Sequence, residues 1–273
     1  MISRAHRFGT LVFDRDTIVR AALRAYVEAI LSELDPEKRL RLRPCVDPDW
    51  KGDLHCGAFD NRDGCGNHVV VGWTRAGVVA LGYELGFGPI EERGLSVDAV
   101  TGGPDDVRAV VPGLPSDLEP ALVLAASMLD DGPLHGEKQA GVGFWLHGDR
   151  VAGTFFDDPH AVGLRELAAW GMLQNGRLPL LGPAETRALA AKLDRTRAAP
   201  IHAIVDAVVA RAFVGPTELT VDELATLLPT PPEEELVFAA QRNLQKVGIT
   251  WPGSPAIPPE PPRTGPNPFL PQT

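Results

Sequence analysis

The sequence predicts an α+β protein with an N-terminal antiparallel sheet, flanking helices and a helical C-terminal half. Three apolar runs rich in β-branched and aromatic residues follow one another between Leu54 and Glu84, separated by loops of Gly, Asn and Asp. A further pair of such runs meets at the turn Gly148–Asp149, and from Asp158 onward the apolar spacing is helical. The expected parts are a sheet domain over 1–157, a helical region over 158–251 packed on it, and a proline-rich extended tail over 252–273.

A short buried strand is predicted at Phe8–Phe13, followed by an amphipathic helix from about Thr17 to Leu34. Asp14 or Asp16 is placed to accept hydrogen bonds from the free N–H groups of its first turn. One apolar stripe runs along this helix and comprises Val19, Leu23, Tyr26, Ile30 and Leu34.

The next segment, Arg39–Arg43, alternates strictly between arginine and leucine, which predicts a strand with one basic face. That face is either a solvated edge, protected by its charges from pairing with other strands, or a small anion site. Both interpretations remain open at this point.

The three runs near the centre of the sheet domain predict a meander with strands at Leu54–Phe59, His68–Thr74 and Val78–Glu84. Val69, Val71 and Trp73 alternate with Val70, Gly72 and Thr74, so we expect at least one face to be covered, with Trp73 on it. The pattern Ser116–Glu119 predicts a capping box that opens a helix to about Leu129.

The hairpin prediction rests on two β-rich runs, Val142–His147 and Val151–Phe156, around their shared turn. Beyond it, Asp158–Pro159 predicts a capped helix start. The remaining predicted helices are His160–Leu173, Pro183–Arg197, Ile201–Phe213, and two opened by capping boxes at Thr220–Glu223 and Thr230–Glu233.

Composition narrows the functional classes. The formal charge is −10 and Lys and Arg do not cluster, which argues against nucleic-acid binding. The longest apolar run, Ala121–Leu129, is far shorter than the roughly 18–20 residues of a membrane span. The N-terminus lacks the apolar stretch of a secretory signal, and three cysteines do not form a disulfide scaffold. We therefore expect a cytoplasmic protein.

Two aspartates stand two residues apart after the apolar run Leu11–Phe13, at Asp14 and Asp16. This stretch resembles the opening motif of the haloacid-dehalogenase phosphatases. The resemblance implies a Mg²⁺-dependent phosphatase in which Asp14 is the nucleophile, Asp16 the acid/base, and both hold Mg²⁺. Thr101, Lys138 and Asp157–Asp158 follow in the order of that family's later motifs. The alternative is that both aspartate pairs cap helices.

A second set of chemically interesting residues flanks the first predicted turn of the meander: His55, Cys56, Cys65 and His68. A zinc site needs four converging side chains, and the spacing of Cys65 and His68 allows two of them. His55 and Cys56 are adjacent, and on a strand they would point to opposite faces. Buried thiols and ordinary histidines are the alternative, so we expect neither a metal nor a cofactor.

Without a complete catalytic constellation, the sequence favours a non-enzymatic protein that binds another protein. Its acidic charge suits a basic partner, and one concrete version is an immunity-type protein that neutralises a basic toxin. The proline-rich tail can lie in a partner's groove, with Ile257, Phe269 and Leu270 as its anchors. The Mg²⁺-dependent phosphatase is the alternative function.

Overall fold

The computed structural model describes residues 14–34, 49–62, 66–86, 88–96, 107–129, 139–172, 195–228 and 231–256. The predicted strand Phe8–Phe13, the alternating segment Arg39–Arg43 and the tail anchors lie outside these residues.

Ten strands are described. They are β1 (Asp49–Gly52), β2 (Gly57–Arg62), β3 (His68–Trp73), β4 (Gly77–Tyr83), β5 (Leu95–Ser96), β6 (Gln139–Ala140), β7 (Val142–His147), β8 (Arg150–Ala152), β9 (Thr217–Glu218) and β10 (Ile249–Thr250).

Eight α-helices accompany them in the described residues. They are α1 (Arg15–Glu33), α2 (Pro89–Glu92), α3 (Glu119–Ala126), α4 (Thr154–Asp157), α5 (Val162–Met172), α6 (Arg195–Val214), α7 (Val221–Leu227) and α8 (Glu234–Lys246). Short 3₁₀ helices cover Val107–Val110, Ser116–Leu118 and Pro159–Ala161.

The main sheet confirms the predicted fold class. It has six strands in the order β1-β2-β3-β4-β7-β8, and every neighbouring pair is antiparallel. Two small sheets pair β5 with β6 and, in parallel, β9 with β10. The predicted meander is present as β2, β3 and β4. β2 is shifted by three residues, whereas the boundaries of β3 and β4 agree with the prediction to within one residue.

Both faces of the sheet are covered, because side chains of alternate residues enter two separate buried clusters. Val69, Val71 and Trp73 belong to the first cluster, together with residues of α1, α5, α6 and α8, and each is fully buried. This confirms the position predicted for Trp73. Val70 enters the second cluster, together with residues of α3. The described strands therefore form the middle layer of a three-layer structure.

Helix α1 carries the predicted stripe, but it is buried on more than that one side. It packs against α5, α6 and α8 as well as against the sheet. Ile18, Leu31 and the charged Arg24 and Glu28 are consequently buried in addition to the stripe residues. The amphipathic prediction underestimated this burial, since the C-terminal helices cover the side of α1 that faces away from the sheet.

The predicted hairpin forms, but its second strand is shorter than expected. β8 ends at Ala152, and Thr154–Asp157 form a helical turn instead of continuing the strand. Gly153 makes this change of direction, with a φ of +147° at a point where a Cβ would lie 2.2 Å from the carbonyl oxygen of Gly143. Phe155 is buried against Phe144 as a result.

The predicted capping box at Ser116 does not form. There the chain makes a 3₁₀ turn with no side-chain cap, and α3 begins at Glu119 and ends at Ala126. Thr230 of another predicted box lies outside the described residues, and α8 begins at Glu234. The box at Thr220 is confirmed, since Thr220 Oγ1 accepts from the Glu223 amide at 3.2 Å and Glu223 Oε2 accepts from the Thr220 amide at 2.9 Å.

Among the described residues, no helix has the length and apolarity needed to cross a bilayer.

Helix α3 approaches the sheet closely over one glycine. A Cβ added to Gly72 would lie 2.3 Å from the Ala121 carbonyl oxygen and 2.7 Å from the Ala125 amide nitrogen. These are backbone atoms, so a side chain cannot simply rotate away. The absence of a side chain at this position sets the distance between α3 and β3.

We predict that Gly72→Ala lowers the free energy of unfolding by about 1–3 kcal/mol, because α3 must move off the sheet. The matched control is Gly163→Ala in α5, where the nearest atom to an added Cβ is 4.0 Å away. Since alanine favours helix over glycine, the control should raise stability by up to about 1 kcal/mol. Urea denaturation measures both changes, and equal effects would contradict the close approach.

Candidate functional site

A cleft of about 700 Å³ opens beside β8, the edge strand of the described sheet. Strands β7 and β8 form one wall, and the segment from α4 into the following 3₁₀ helix forms another. The lining residues are Arg93, Pro112, Gly113, Trp145, Arg150, Ala152, Gly153, Thr154, Asp157, Asp158, Pro159 and His160.

Asp158 organises the wall between α4 and α5. Its Oδ1 accepts from the amide of His160 at 2.9 Å, which caps the 3₁₀ helix as the sequence predicts. Its Oδ2 accepts from Arg93 Nη2 at 2.5 Å, and its backbone carbonyl accepts from the buried Arg165 at 3.0 Å. Burial by itself would raise the pKa of Asp158, but the bonds from His160 and Arg93, with the charge of Arg93, hold that pKa below its ordinary value.

Arg150 lies over the ring of Trp145, with its guanidinium carbon 5.4 Å from the ring centroid. Trp145 is itself held by a hydrogen bond from Nε1 to the carbonyl of Pro112 at 3.0 Å. The Arg150 guanidinium makes no hydrogen bond or ion pair to any residue in the described ranges. Stacking on an aromatic ring leaves the in-plane N–H donors of arginine available.

The remaining polar side chains of the cleft differ in the hydrogen bonds that they make. Thr154 Oγ1 donates to the carbonyl of Val110 at 3.0 Å and accepts from the Gly143 amide at 3.1 Å. Its hydroxyl therefore links α4 to β7 and to the 3₁₀ helix at Val107–Val110. His160 is exposed, and its imidazole makes no hydrogen bond within the part of the chain that the structure describes. The carboxylate of Asp158 offsets the charge of Arg93.

Asp14 and Asp16, the aspartates of the phosphatase motif, have separate roles at the start of α1. Asp14 Oδ1 accepts from the Thr17 amide at 2.7 Å, which is a helix cap. Asp16 is exposed and pairs with Arg15 Nη1 at 2.6 Å. Of the later residues of that motif, Thr101 and Lys138 lie outside the described residues, and Asp158 is bonded to Arg93.

The three metal candidates within the described residues are not brought together. His55 and Cys56 are exposed in the loop before β2, whereas His68 begins β3 beyond the far end of β2, a strand length of about 20 Å away. Cys65 lies outside the described residues. Within the described ranges, no three His, Cys, Asp or Glu side chains are grouped closely enough to hold a metal ion.

The neighbour of His68 is Asp60, which the sequence analysis did not single out. Asp60 is fully buried on β2 and forms an ion pair with Arg62. Its other oxygen, Oδ1, lies 3.8 Å from His68 Nδ1, and neither atom has a hydrogen-bond partner. The strand register explains the proximity, because Arg62 pairs directly with His68.

The exposed residues at the start of α8 are a second candidate surface, which we call the α8 face. It consists of Glu233, Glu234, Glu235, Leu236 and Phe238, all of them exposed. Leu236 is 39% exposed and Phe238 is 50% exposed. Arg242 lies 5.7 Å from the Phe238 ring centroid one turn further along. The surface therefore combines carboxylates with large apolar side chains.

Sequence reasoning missed both surfaces. It interpreted Asp158 as a helix cap and Gly148–Asp149 as a turn, and both are correct, but the partners Arg93 and Trp145 are distant in the chain. Arg150 directly after the turn was an available signal. For α8 the available signal was the acidic run Glu233–Glu235 followed closely by Leu236 and Phe238.

We predict that Asp158→Asn lowers the free energy of unfolding at pH 7 by about 1 kcal/mol, since Arg93 loses an ionised partner. The pKa of Asp158 is lowered on folding, so its carboxylate stabilises the fold above the unfolded pKa of about 3.9. That contribution is lost as the pH falls further, and the gap between wild type and variant should close below about pH 4. Denaturation across this pH range measures the gap, with the exposed Asp149→Asn as control. A gap that persists at low pH would contradict the assignment.

Comparison with protein-family models, with curated proteins and with solved structures gives no match to this chain. Its function is therefore inferred from its own surfaces and charges.

Proposed function

We propose that this chain is a non-enzymatic cytoplasmic protein that binds a basic protein partner through the α8 face. The observation that carries the proposal is the exposure of Leu236 and Phe238 beside three glutamates. One concrete version is an immunity-type protein that neutralises a basic toxin.

The distribution of apolar surface supports this location. The large apolar side chains that are exposed in the described residues all lie in the helical C-terminal half: Val214, Val221, Leu236 and Phe238. Scattered exposed apolar residues are ordinary, but a half-exposed phenylalanine leaves much of an aromatic ring open to a partner. Leu236 stands two residues earlier and therefore projects from a different side of α8. Aromatic side chains dominate the energetics of protein interfaces.

The charges of the α8 face suit a basic partner. Glu233, Glu234 and Glu235 stand at the positive end of the helix dipole, which stabilises α8 itself. These glutamates are exposed on a chain of formal charge −10. They therefore also create a negative potential that speeds association with a basic surface. Helix stability alone does not account for Leu236 and Phe238.

The cytoplasmic part of the proposal rests on the cysteines. Cys56 is an exposed free thiol, which suits a reducing compartment. The tail residues Ile257, Phe269 and Leu270 stay predicted contacts of the same partner.

The partner experiment titrates wild type and variants against a candidate basic protein, such as the product of a neighbouring gene. We predict that Phe238→Ala raises the Kd by about 30-fold, the effect of losing a central aromatic anchor. Glu234→Lys should slow association most at low salt, because it reverses the steering charge. The charge-matched control is Glu92→Lys on α2, which should leave the Kd within about twofold.

Binding that Phe238→Ala and Glu234→Lys both leave unchanged would place the contact elsewhere and defeat the proposal. Truncation after Trp251 tests the tail separately. Lost binding with an unchanged melting temperature would add Ile257, Phe269 and Leu270 to the contact, and equal affinity would confine it to the helices.

The non-enzymatic part has its own test. Because Asp14 caps α1 and Asp16 pairs with Arg15, we expect no Mg²⁺-dependent hydrolysis of a generic phosphate ester above the rate of a heat-denatured sample. Hydrolysis by wild type that disappears in Asp14→Asn would overturn this expectation. Asp14→Asn is the suitable variant, since asparagine caps a helix as well as aspartate and the fold is kept.

A further inference from the structure

We propose that the cleft beside β8 binds a small organic molecule carrying a carboxylate or phosphate group, with Arg150 as its main anion contact. This goes beyond the partner binding proposed for the α8 face. The two surfaces lie on opposite sides of the sheet, because Trp145 belongs to the second buried cluster and the α8 residues Ala240 and Leu244 belong to the first.

Arg150 is a preorganised anion receptor. Its guanidinium rests on the Trp145 ring, and that ring is fixed by its bond to Pro112. Although Arg150 is exposed, this contact favours one position of its guanidinium and reduces the side-chain ordering needed on binding. A carboxylate or phosphate matches this fork with two parallel hydrogen bonds.

Arg93 provides a second, weaker contact on the same cleft. Its Nε donates to the Pro89 carbonyl at 2.6 Å and its Nη2 to Asp158 at 2.5 Å, which fixes the guanidinium plane. Guanidinium has five N–H donors, so further donors remain for a ligand. His160 on the adjoining 3₁₀ helix adds an exposed imidazole.

The acidic groups do not cancel the attraction at Arg150. Asp158 is already bonded to Arg93, and Asp157 also has an interaction of its own. Arg150, by contrast, has only the Trp145 ring as its partner among the described residues. Among the described residues, Arg150 is therefore the arginine of the cleft whose charge is not paired with a carboxylate.

The size and walls of the cleft indicate more than a bare ion. Its volume of about 700 Å³ falls within the range of small-molecule pockets. Pro112, Ala152 and Pro159 give it apolar surface that an organic body can contact. Thr154 is the one hydroxyl among the described lining residues, and both of its hydrogen bonds are used in the wall. The cleft is therefore suited to binding a ligand, and the Thr154 hydroxyl is not free to act as a nucleophile.

The test is a titration of the full chain with phosphate, phenyl phosphate, acetate and benzoate, followed by backbone amide chemical shifts. Phenyl phosphate and benzoate should bind more tightly than phosphate and acetate, and the shifts should centre on the amides of Gly113 and Gly153. Arg150→Gln should weaken binding by about 10–100-fold, the value of hydrogen bonds to a charged group. Arg150→Lys keeps the positive charge but loses the planar pair of N–H donors, so its affinity should lie between those of wild type and Arg150→Gln.

The matched control is Arg75→Gln, which removes the same charge from an exposed turn outside the cleft. It should bind as wild type does, and thermal melting verifies that each variant is folded. Preference for phenyl phosphate or for benzoate identifies the anionic group. Three results would each overturn the proposal: no binding of any probe up to about 10 mM, equal losses in Arg150→Gln and Arg75→Gln, or shifts that centre on Arg39–Arg43 instead of the cleft.

Discussion

The burial of α1 between the sheet and the C-terminal helices is the constraint on which the other packing depends. Tyr26 contacts Trp50 and Phe59 on the sheet side, and its hydroxyl donates to the Asn243 carbonyl of α8 at 3.1 Å. Arg24 bonds Glu28 within α1 and Asp206 on α6. Arg24 is buried but Asp206 is about half exposed, so this ion pair joins α6 to α1 at the rim of their interface. The first helix thereby joins both halves of the chain through one core.

Because helices occupy both faces of the described sheet, the two proposed binding surfaces lie at its margin and on an outer helix. The α8 face is acidic and apolar, and it sits on the helical layer outside the first cluster. The cleft at Arg150 is lined by two arginines and two aspartates and lies beside the strand edge on the opposite side. The proposed protein partner and the proposed small anion would therefore bind without competing for one surface.

Features that depend on neighbouring residues were predicted correctly from the sequence, whereas contacts between distant residues were not. Strand alternation placed Trp73 correctly, and the pattern at Thr220 identified a real capping box, since both depend on neighbours within a few residues. The turn at Gly153 was missed because its cause, the Gly143 carbonyl, lies on another strand. The cleft could not be assembled for the same reason: Arg93 and Asp158 are 65 residues apart, and only the fold pairs them.

The short parallel pair β9–β10 determines how α8 is held. The Thr217 amide donates to the Gly248 carbonyl at 2.9 Å, and the Leu219 amide donates to the Thr250 carbonyl at 2.7 Å. The chain from β9 through α7 and α8 to β10 is therefore a loop clasped at its base, and α8 is anchored at its C-terminal end and along its buried side. The entropy of closing that loop is lost during folding and not on association. A partner that contacts Phe238 would bind a helix that is already ordered. A contact there would therefore increase affinity mainly by slowing dissociation.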